Sequence, residues 1–288
     1  MRLTGLAPAK INLFLHVGAV RPDGYHPLAS LVAFADVGDR VTVEQADTLS
    51  LTVEGPFGAG LAAEPDNLIL KALRALGEAA GTGDPHVHVT LDKQLPIAAG
   101  LGGGSSDAGT ALKLARDILS LDLNNAELEA VAGVVGADGP MCLRARSAWA
   151  EGRGDELTDA LGLPSLHAVL VNPGVPSSTG AVYRAFDAGP AGATERPTLP
   201  SDWRAATVIE WLATQRNDLE RPALDLAPAI SDVMTAVAGQ RDVGLVRMSG
   251  SGATVFGLFT SSEAADRAAS ALSLDKPRWW IKRTVLAA

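Results

Sequence analysis

The glycine-rich stretch from Pro96 to Asp107 constrains this sequence more than any other feature. It reads PIAAGLGGGSSD and runs directly into a helical pattern, in which small and apolar residues recur at positions 108, 111, 112, 115 and 119. Ser105 or Ser106 stands where the N-cap of that helix is expected. Glycine lets backbone amides approach a ligand, and a helix N-terminus adds free N–H groups and the positive end of its dipole. The stretch therefore predicts an anion-binding loop, with phosphate as its natural ligand.

Other interpretations fit this stretch less well. The sequence contains no G-x-x-x-x-G-K-[ST], and the glycines at 100, 102, 103 and 104 do not have the spacing G-x-G-x-x-G. A P-loop and a dinucleotide-binding Rossmann unit are therefore both disfavoured. A flexible connector is the plain alternative, but connectors seldom end in a pair of hydroxyl residues at the start of a helix.

Length and charge limit the remaining classes of function. At 288 residues the chain is long enough for one large domain or two ordinary ones. It carries 24 Lys and Arg against 33 Asp and Glu, a net charge of −9, without a run of five or six like charges. This balance argues against a nucleic-acid surface and against a polybasic membrane anchor. We therefore expect a small-molecule partner, no nucleic acid and no membrane, and the oligomeric state stays open.

The single cysteine and the N-terminal residues predict a cytoplasmic protein. Cys142 has no second cysteine with which to form an intrachain disulfide, and we expect its thiol to be a small buried hydrophobic group. The first residues lead into a strand-like pattern rather than the apolar core of a signal peptide. The longest stretch without Asp, Glu, Lys or Arg, 160–183, is broken by three prolines and predicts a buried strand followed by a loop.

Hydrophobic periodicity predicts a mixed α+β fold. Residues 10–17 alternate, with Lys10 and Asn12 on one face of a strand and Ile11 and Leu13 on the other. Further strands are expected at 31–35, 40–44, 49–54, 86–92, 166–171, 245–248, 254–260 and 280–285.

Helix signals fall between these strands. One helix is expected to begin at Asp66 or Asn67 and to end at Gly81. A second, at 126–135, leaves Asp138 in the loop that follows it. Others are expected at 208–213, 229–238 and 263–272. The Gly-, Ala- and Pro-rich residues 188–200 are expected to be a loop or a disordered insert.

Three motifs, in the same order along the chain, resemble those of the GHMP kinase superfamily of small-molecule kinases. They are PAKINL at 8–13, the glycine-rich loop at 96–107 and MSGSGATVFG at 248–257. The resemblance implies a two-domain α+β fold with the active site between the domains. It places an N-terminal ATP-binding domain at residues 1–155 and a C-terminal domain at 156–288.

Three shorter segments resemble one branch of that superfamily: RPDGYH at 21–26, GADGP at 136–140 and NDLE at 217–220. By this resemblance the chain would use ATP and Mg²⁺ to phosphorylate a hydroxyl of a cytidine-diphosphate-linked methylerythritol, in the non-mevalonate route to isoprenoid precursors. No motif identifies the metal ligands. A GHMP kinase for homoserine, mevalonate or a sugar, and a non-catalytic ligand sensor on the same fold, remain as alternatives.

The resemblance also assigns individual residues. Lys10 and Asp138 resemble the family's catalytic pair, and phosphoryl transfer to an alcohol needs a group that takes or orients the proton and a cation. ATP is expected to bind the loop residues Pro96, Ile97, Ala98, Ala99, Gly100, Leu101, Gly102, Gly103, Gly104, Ser105 and Ser106. The other substrate is expected to contact Asn12, Tyr25, His26, Thr179 and Tyr183. The two tyrosines would stack on cytosine and His26 would hydrogen-bond to its edge.

Plain alternatives exist for these assignments. Lys10 and Asp138 could be solvated charges, and Tyr25 and His26 could be turn residues. The chain also departs from the family pattern after Asp138, where Gly139, Met141 and Cys142 replace an aliphatic residue and aromatics, so different packing is expected there. Gly109 replaces the usual alanine, which we expect to cost roughly 0.5–1 kcal/mol of helix stability.

Overall fold

The computed structural model describes residues 1–61 and 67–287, which form two compact units. The first unit contains residues 1–10, 37–97 and 102–145, and the second contains 11–36, 98–101 and the chain from Arg146 onward. The chain therefore passes between the units five times, including twice within the glycine-rich loop. The domain boundary predicted between residues 155 and 156 differs from the limits of these compact units. It stays a prediction.

The first unit combines strands with four helices that pack on them. β1 (Arg2–Val17) and β2 (Leu28–Gln45) pair with each other and each enters both units. The following elements are β3 (Ser50–Glu54), α1 (Leu68–Ala80), β4 (Val87–Asp92), α2 (Gly103–Leu119), α3 (Asn125–Val135) and α4 (Gly139–Arg144). β4 runs antiparallel to β2 and parallel to β3.

Local sequence explains where these helices begin and end. The Asn67 side chain caps α1 by accepting a hydrogen bond from the N–H of Ile69, and Gly81 ends the helix at φ +68°. Asp66, the other expected cap, lies outside the described residues. Asn124 and Glu127 form a reciprocal capping box at α3. The apolar faces of α1, α2 and α3 bury a core that includes Val41, Leu73, Leu76, Val89 and Leu112.

The second unit contains the remaining elements. They are β5 (Ala148–Glu151), β6 (Glu156–Asp159), β7 (Leu166–Asn172), α5 (Thr179–Phe186), α6 (Ala205–Ala213), α7 (Glu220–Leu226), α8 (Ala229–Ala238), β8 (Val243–Met248), β9 (Val255–Phe259), α9 (Ser262–Asp275) and β10 (Trp280–Ala287). Within it the strand order β10-β7-β9-β8 is antiparallel throughout. Its core includes Val17, Val171, Val233, Met248 and Phe259.

The α+β fold is confirmed, with local differences. The strands expected at 31–35 and 40–44 are one continuous strand, β2, and the loop expected after β7 contains α5. Residues 188–200 form neither helix nor strand, and the Trp211 Nε1–H donates to the carbonyl of Thr198 there. Within the described part of the chain, no helix is long and apolar enough to cross a membrane.

Candidate active site

The glycine-rich loop ends at a helix start three or four residues earlier than expected. The N-cap of α2 is Gly102, at φ +62°, and not Ser105 or Ser106. The first bond of the helical ladder runs from the N–H of Ser106 to the carbonyl of Gly102 at 2.9 Å. The amides of Gly103, Gly104 and Ser105 therefore precede the ladder, as the first N–H groups of any helix do. The serine prediction was wrong because the glycines themselves form the first helical turn.

Gly102 lies against the side chain of Lys10. A Cβ at Gly102 would lie 3.2 Å from the Cβ of Lys10 and 3.4 Å from Sγ of Cys142, and the positive φ also favours glycine. A side chain at residue 102 would therefore need a strained backbone conformation and small shifts of Lys10 and Cys142.

Lys10 and Asp138 form an ion pair within the first unit, although 128 residues separate them in sequence. The Nζ of Lys10 donates to Oδ2 of Asp138 at 3.0 Å. The lysine side chain is 9% exposed and the aspartate side chain 40% exposed. Asp138 immediately precedes α4, a helix that the sequence analysis did not predict. The paired charges thus sit with one partner buried and the other open to solvent.

Two glycines allow α4 to pack backbone against backbone. A Cβ at Gly139 would lie 2.0 Å from the carbonyl oxygen of Ala132 in α3. A Cβ at Gly109 in α2 would lie 2.9 Å from the Cα of Leu143 in α4. Gly109 was expected only to weaken its helix; it also makes room for α4. These departures from the family pattern therefore concern the helix that carries Asp138.

Cys142 is fully buried, as expected from the sequence. Its Sγ lies 3.9 Å from the carbonyl oxygen of Gly102. Burial, with Asp138 nearby, raises the pKa of the thiol to about 12. The thiol is therefore protonated at neutral pH and is not a nucleophile.

Three buried charges beside the first turn of α2 were missed by the sequence analysis. Nζ of Lys93 donates to Oδ2 of Asp39 at 2.5 Å and to Oδ2 of Asp107 at 2.7 Å. All three side chains are at most 3% exposed. A Cβ at Gly103 would lie 3.0 Å from Nζ of Lys93, so the cluster adjoins the start of the helix. Neighbouring residues in the sequence give no signal for this pairing of one lysine with two aspartates.

The two carboxylates of this cluster differ in their surroundings. Oδ1 of Asp39 accepts the backbone N–H groups of Gln94 and Leu95 at 2.6 and 2.8 Å. Oδ1 of Asp107 is buried without a hydrogen-bond partner. Burial raises the pKa of Asp107 to about 8, against the opposing effect of Lys93. Asp107 therefore resists ionisation even beside the Lys93 ammonium.

In the second unit, the three sequence motifs meet through hydrogen bonds to backbone groups, some of them made by the Ser249 hydroxyl. The Ser249 hydroxyl donates to the carbonyl of Gly100 at 2.9 Å and accepts the N–H of Asn12 at 3.2 Å. The N–H of Thr254 donates to the carbonyl of Ala99 at 3.1 Å. A Cβ at Gly100 would lie 2.3 Å from the carbonyl oxygen of Ser249, so this contact requires glycine.

The NDLE segment at 217–220 holds the same region together. Nδ2 of Asn217 donates to the carbonyls of Met248 and Gly250, both at 2.8 Å. Oδ2 of Asp218 accepts the N–H of Val17 at 2.8 Å, and Oε2 of Glu220 accepts the N–H of Met248 at 2.9 Å. These side chains position the end of β1 and the turn after β8.

His26 and Tyr183 are in contact in the second unit. Nδ1 of His26 lies 2.8 Å from the carbonyl oxygen of Gly18, which can only accept, so Nδ1 carries a hydrogen. The His26 ring lies 5.0 Å from the ring of Tyr183, centroid to centroid. Tyr25 is half-exposed, and the Arg153 guanidinium lies 4.8 Å from its ring centroid.

The remaining predicted contacts, Asn12 and Thr179, lie near the third motif. Oγ1 of Thr179 is 2.9 Å from Oγ of Ser251. Nδ2 of Asn12 donates to the hydroxyl of Ser30 at 2.8 Å, whereas its Oδ1 is buried without a hydrogen-bond partner. Asn12 therefore presents an acceptor that the described chain leaves unsatisfied.

Comparisons with known proteins show the family to which the chain belongs. Residues 67–145 match the family model described as GHMP kinases N terminal domain, and residues 206–276 match GHMP kinases C terminal. A Caulobacter vibrioides protein named 4-diphosphocytidyl-2-C-methyl-D-erythritol kinase is 52% identical, over 98% of this chain and 99% of the relative. A Dinoroseobacter shibae protein of the same name is 48% identical, over 99% and 95%.

Solved structures extend the comparison. A crystal structure of 4-(cytidine 5'-diphospho)-2C-methyl-D-erythritol kinase matches 99% of this chain and 100% of its own, with a TM-score of 0.80 and 36% identity. A homoserine kinase from Cytophaga hutchinsonii matches with a TM-score of 0.70 at 17% identity, over 100% of this chain and 95% of its own. At that identity the second match describes the fold alone.

Proposed function

The chain belongs to the GHMP kinases, and within them to the 4-diphosphocytidyl-2-C-methyl-D-erythritol kinases, and from this premise we propose how its own residues carry out the reaction. It is an ATP-dependent small-molecule kinase that phosphorylates a hydroxyl of 4-diphosphocytidyl-2-C-methyl-D-erythritol, a step toward isoprenoid precursors. We propose a cytoplasmic location, supported by the unpaired, buried thiol of Cys142.

ATP would bind with its phosphates at the glycine-rich loop, residues 96–106. The amides of Gly103, Gly104 and Ser105 precede the hydrogen-bonding ladder of α2, and the positive end of the helix dipole lies at the same place. Side chains at positions 103 and 104, where the chain has glycine, would hinder the approach of an anion to the backbone. This geometry supports a phosphate site made of backbone rather than of basic side chains.

Mg²⁺ would reach the site chiefly through the triphosphate. In the described part of the chain, no group of three His, Cys, Asp or Glu could hold a metal ion. Magnesium usually keeps several waters and takes substrate phosphates with one or two protein oxygens. Ser106 fits this need, because its Oγ is buried without a hydrogen-bond partner at the start of α2. When bound, the ion would neutralise charge on the phosphates.

Asp138 would orient the acceptor hydroxyl and take its proton, while Lys10 holds the carboxylate in place. Their 3.0 Å ion pair is the observation that carries this assignment. In phosphoryl transfer the bond to the leaving group is largely broken in the transition state, so positioning and charge stabilisation matter more than the strength of the base. The Lys10 ammonium would also favour the negative charge that develops on the phosphoryl oxygens.

The cytidine end of the substrate would bind in the second unit, at Asn12, Tyr25, His26, Thr179 and Tyr183. Base stacking on an aromatic ring is worth roughly 1–3 kcal/mol. The Tyr183 ring beside His26, and the half-exposed Tyr25 ring, supply such surfaces. The unsatisfied Oδ1 of Asn12 suits a hydroxyl donor from the substrate.

Kinetics of two variants test the catalytic pair. We expect Asp138→Asn and Lys10→Met each to lower kcat by roughly 10²-fold or more with little change in ATP affinity. Circular dichroism checks that both variants fold. Asp117→Asn, at the far end of α2 and paired with Arg116, is the matched control and should keep normal turnover. Near-normal turnover in either active-site variant would remove that residue from the mechanism.

A further inference from the structure

The buried cluster of Lys93, Asp39 and Asp107 has no part in the reaction described so far. Lys93 stands three residues before the glycine-rich loop, which begins at Pro96, and Asp107 directly follows its last residue, Ser106. Nζ of Lys93 donates to Oδ2 of Asp107 at 2.7 Å, across 14 positions of sequence. The ion pair therefore joins the chain that enters the loop to the chain that leaves it.

The entering chain is fixed to neighbouring strands. Oδ1 of Asp39, in β2, accepts the N–H groups of Gln94 and Leu95. Its Oδ2 accepts from Nζ of Lys93 at 2.5 Å. The N–H of Lys93 donates to the carbonyl of Glu54, the last residue of β3, at 2.8 Å. Lys93 is thus a fixed point from which its ammonium holds the beginning of α2.

The first turn of α2 rests on this cluster. A Cβ at Gly103 would lie 3.0 Å from Nζ of Lys93 and 3.6 Å from Oδ2 of Asp39. Gly103 is the first residue of α2, and its amide is among those that precede the hydrogen-bonding ladder. A shift of Lys93 or of Asp107 would therefore move the amides at which the ATP phosphates are proposed to bind.

Lys93 is placed to hold the backbone rather than to bind phosphate. Its side chain is 3% exposed, and its ammonium donates to two carboxyl groups that are no more exposed. A lysine that binds phosphate presents its ammonium to the ligand as a point charge. The effect of this cluster on ATP would therefore pass through the backbone of the loop.

We propose that Lys93 and Asp107 are positioning residues for ATP, which clasp the two ends of the glycine-rich loop and so hold the amides at the start of α2 in place for the phosphates. The inference rests on the proposed function, because it needs the triphosphate to bind at these amides. A site that is ordered before its ligand arrives binds more tightly, because less conformational entropy is lost on binding. Packed and hydrogen-bonded supporting residues supply that order.

Two substitutions at Asp107 separate the tie from the charge. Asp107→Asn keeps an oxygen that can accept from Lys93, whereas Asp107→Leu has a similar shape and removes the acceptor. We expect Asp107→Leu to raise the KM for ATP, and the Kd for a non-hydrolysable ATP analogue in calorimetry, by about ten-fold or more. Asp107→Asn should keep both values within about two-fold of normal. The KM for the CDP-linked substrate should not change in either variant.

Thr110→Val is the matched control. Thr110 is buried in α2, one turn beyond Asp107, and its hydroxyl donates to the carbonyl of Leu6 at 3.3 Å. The substitution removes a hydrogen bond of the same helix without touching the ends of the loop, so ATP affinity should not change. Circular dichroism and thermal unfolding show which variants fold. Asp107→Ala, which removes the acceptor without adding volume, replaces the leucine variant if that variant does not fold.

The outcomes separate the inference from its premise. Normal ATP affinity in Asp107→Leu would overturn the inference while the proposed function stands. Equal losses in the leucine and asparagine variants would also overturn it, because the charge of Asp107 and not its tie to Lys93 would then matter. A parallel rise in the KM for both substrates would point to a general loosening of the fold, with the same consequence. If the unaltered enzyme bound no ATP analogue, the proposed function would fail together with the inference.

Discussion

The buried cluster of Lys93, Asp39 and Asp107 predicts that two isosteric substitutions differ greatly in their effect on stability. Asp39→Asn removes a carboxylate that accepts from Lys93 and from two backbone N–H groups. Its amide group would have to point at one of these donors. Breaking a buried pair in this way typically costs about 3–5 kcal/mol of the free energy of unfolding.

Asp107→Asn should be nearly neutral. The amide oxygen can still accept from Lys93, and the amide nitrogen replaces an oxygen that has no hydrogen-bond partner. Lys93 keeps Asp39 as its counter-ion. We therefore expect a change of less than about 1 kcal/mol at neutral pH, because replacing rather than orphaning a buried charge is often neutral or stabilising.

The free energy of unfolding should also depend on pH in a direction that can be checked. The folded-state pKa of Asp107, about 8, lies above its ordinary value, so the native state binds more protons than the unfolded state between roughly pH 4 and 8. In the unaltered protein this group therefore lowers stability as pH rises through that range. Asp107→Asn abolishes this contribution. The stability of this variant relative to the unaltered protein should therefore increase as pH rises.

Urea unfolding at several pH values measures all three effects, with an unchanged m-value as the check on two-state behaviour. Equal destabilisation by Asp39→Asn and Asp107→Asn would refute the reasoning. It would mean that Lys93 depends equally on both aspartates.

Three further predictions follow from single contacts. Gly139→Val should lower kcat more than ATP affinity, because a Cβ there would lie 2.0 Å from the Ala132 carbonyl oxygen and must displace the helix that carries Asp138. Steady-state kinetics measures kcat, and calorimetry with a non-hydrolysable ATP analogue measures the affinity. Equal losses in kcat and in ATP affinity would contradict this prediction. His26→Ala and Tyr25→Ala should raise the KM for the cytidine substrate while the KM for ATP changes little, and parallel increases would argue against a base pocket. Burial lowers the pKa of His16 to about 4, so the stability that its neutral form provides is complete above roughly pH 6.5 and is lost as pH falls toward 4. His16→Gln should therefore make the free energy of unfolding depend less on pH in this range. An unchanged pH dependence would assign the acid sensitivity to other groups.

Much of the fold could be predicted from periodicity and capping residues. Asn67 and Gly81 bound α1 as expected, and the helix predicted at 229–238 coincides with α8. The shortest helices gave no signal, because α4 with 6 residues and α7 with 7 are too short to repeat an apolar face. The same applies to α5, whose 8 residues follow a stretch rich in Pro and Ser.

The site was predictable where chemistry is local and not where it depends on tertiary contacts. The loop that leads into a helix start could be predicted from its glycines, although the helix starts at Gly102 because glycines can themselves occupy a first turn. Lys10 and Asp138 were paired only by resemblance, since 128 residues separate them. The cluster around Lys93 arises from packing between distant elements, which a single sequence does not encode in any short pattern.

The most direct test of the central claim is the identity of the product. The unaltered enzyme is incubated with ATP, Mg²⁺ and the CDP-linked methylerythritol, and the mixture is followed by phosphorus NMR. The account predicts one new phosphomonoester on the methylerythritol part for each ADP formed, and no such signal with Asp138→Asn. ATP hydrolysis without a phosphorylated alcohol, or equal phosphorylation of methylerythritol that lacks the cytidine group, would contradict it.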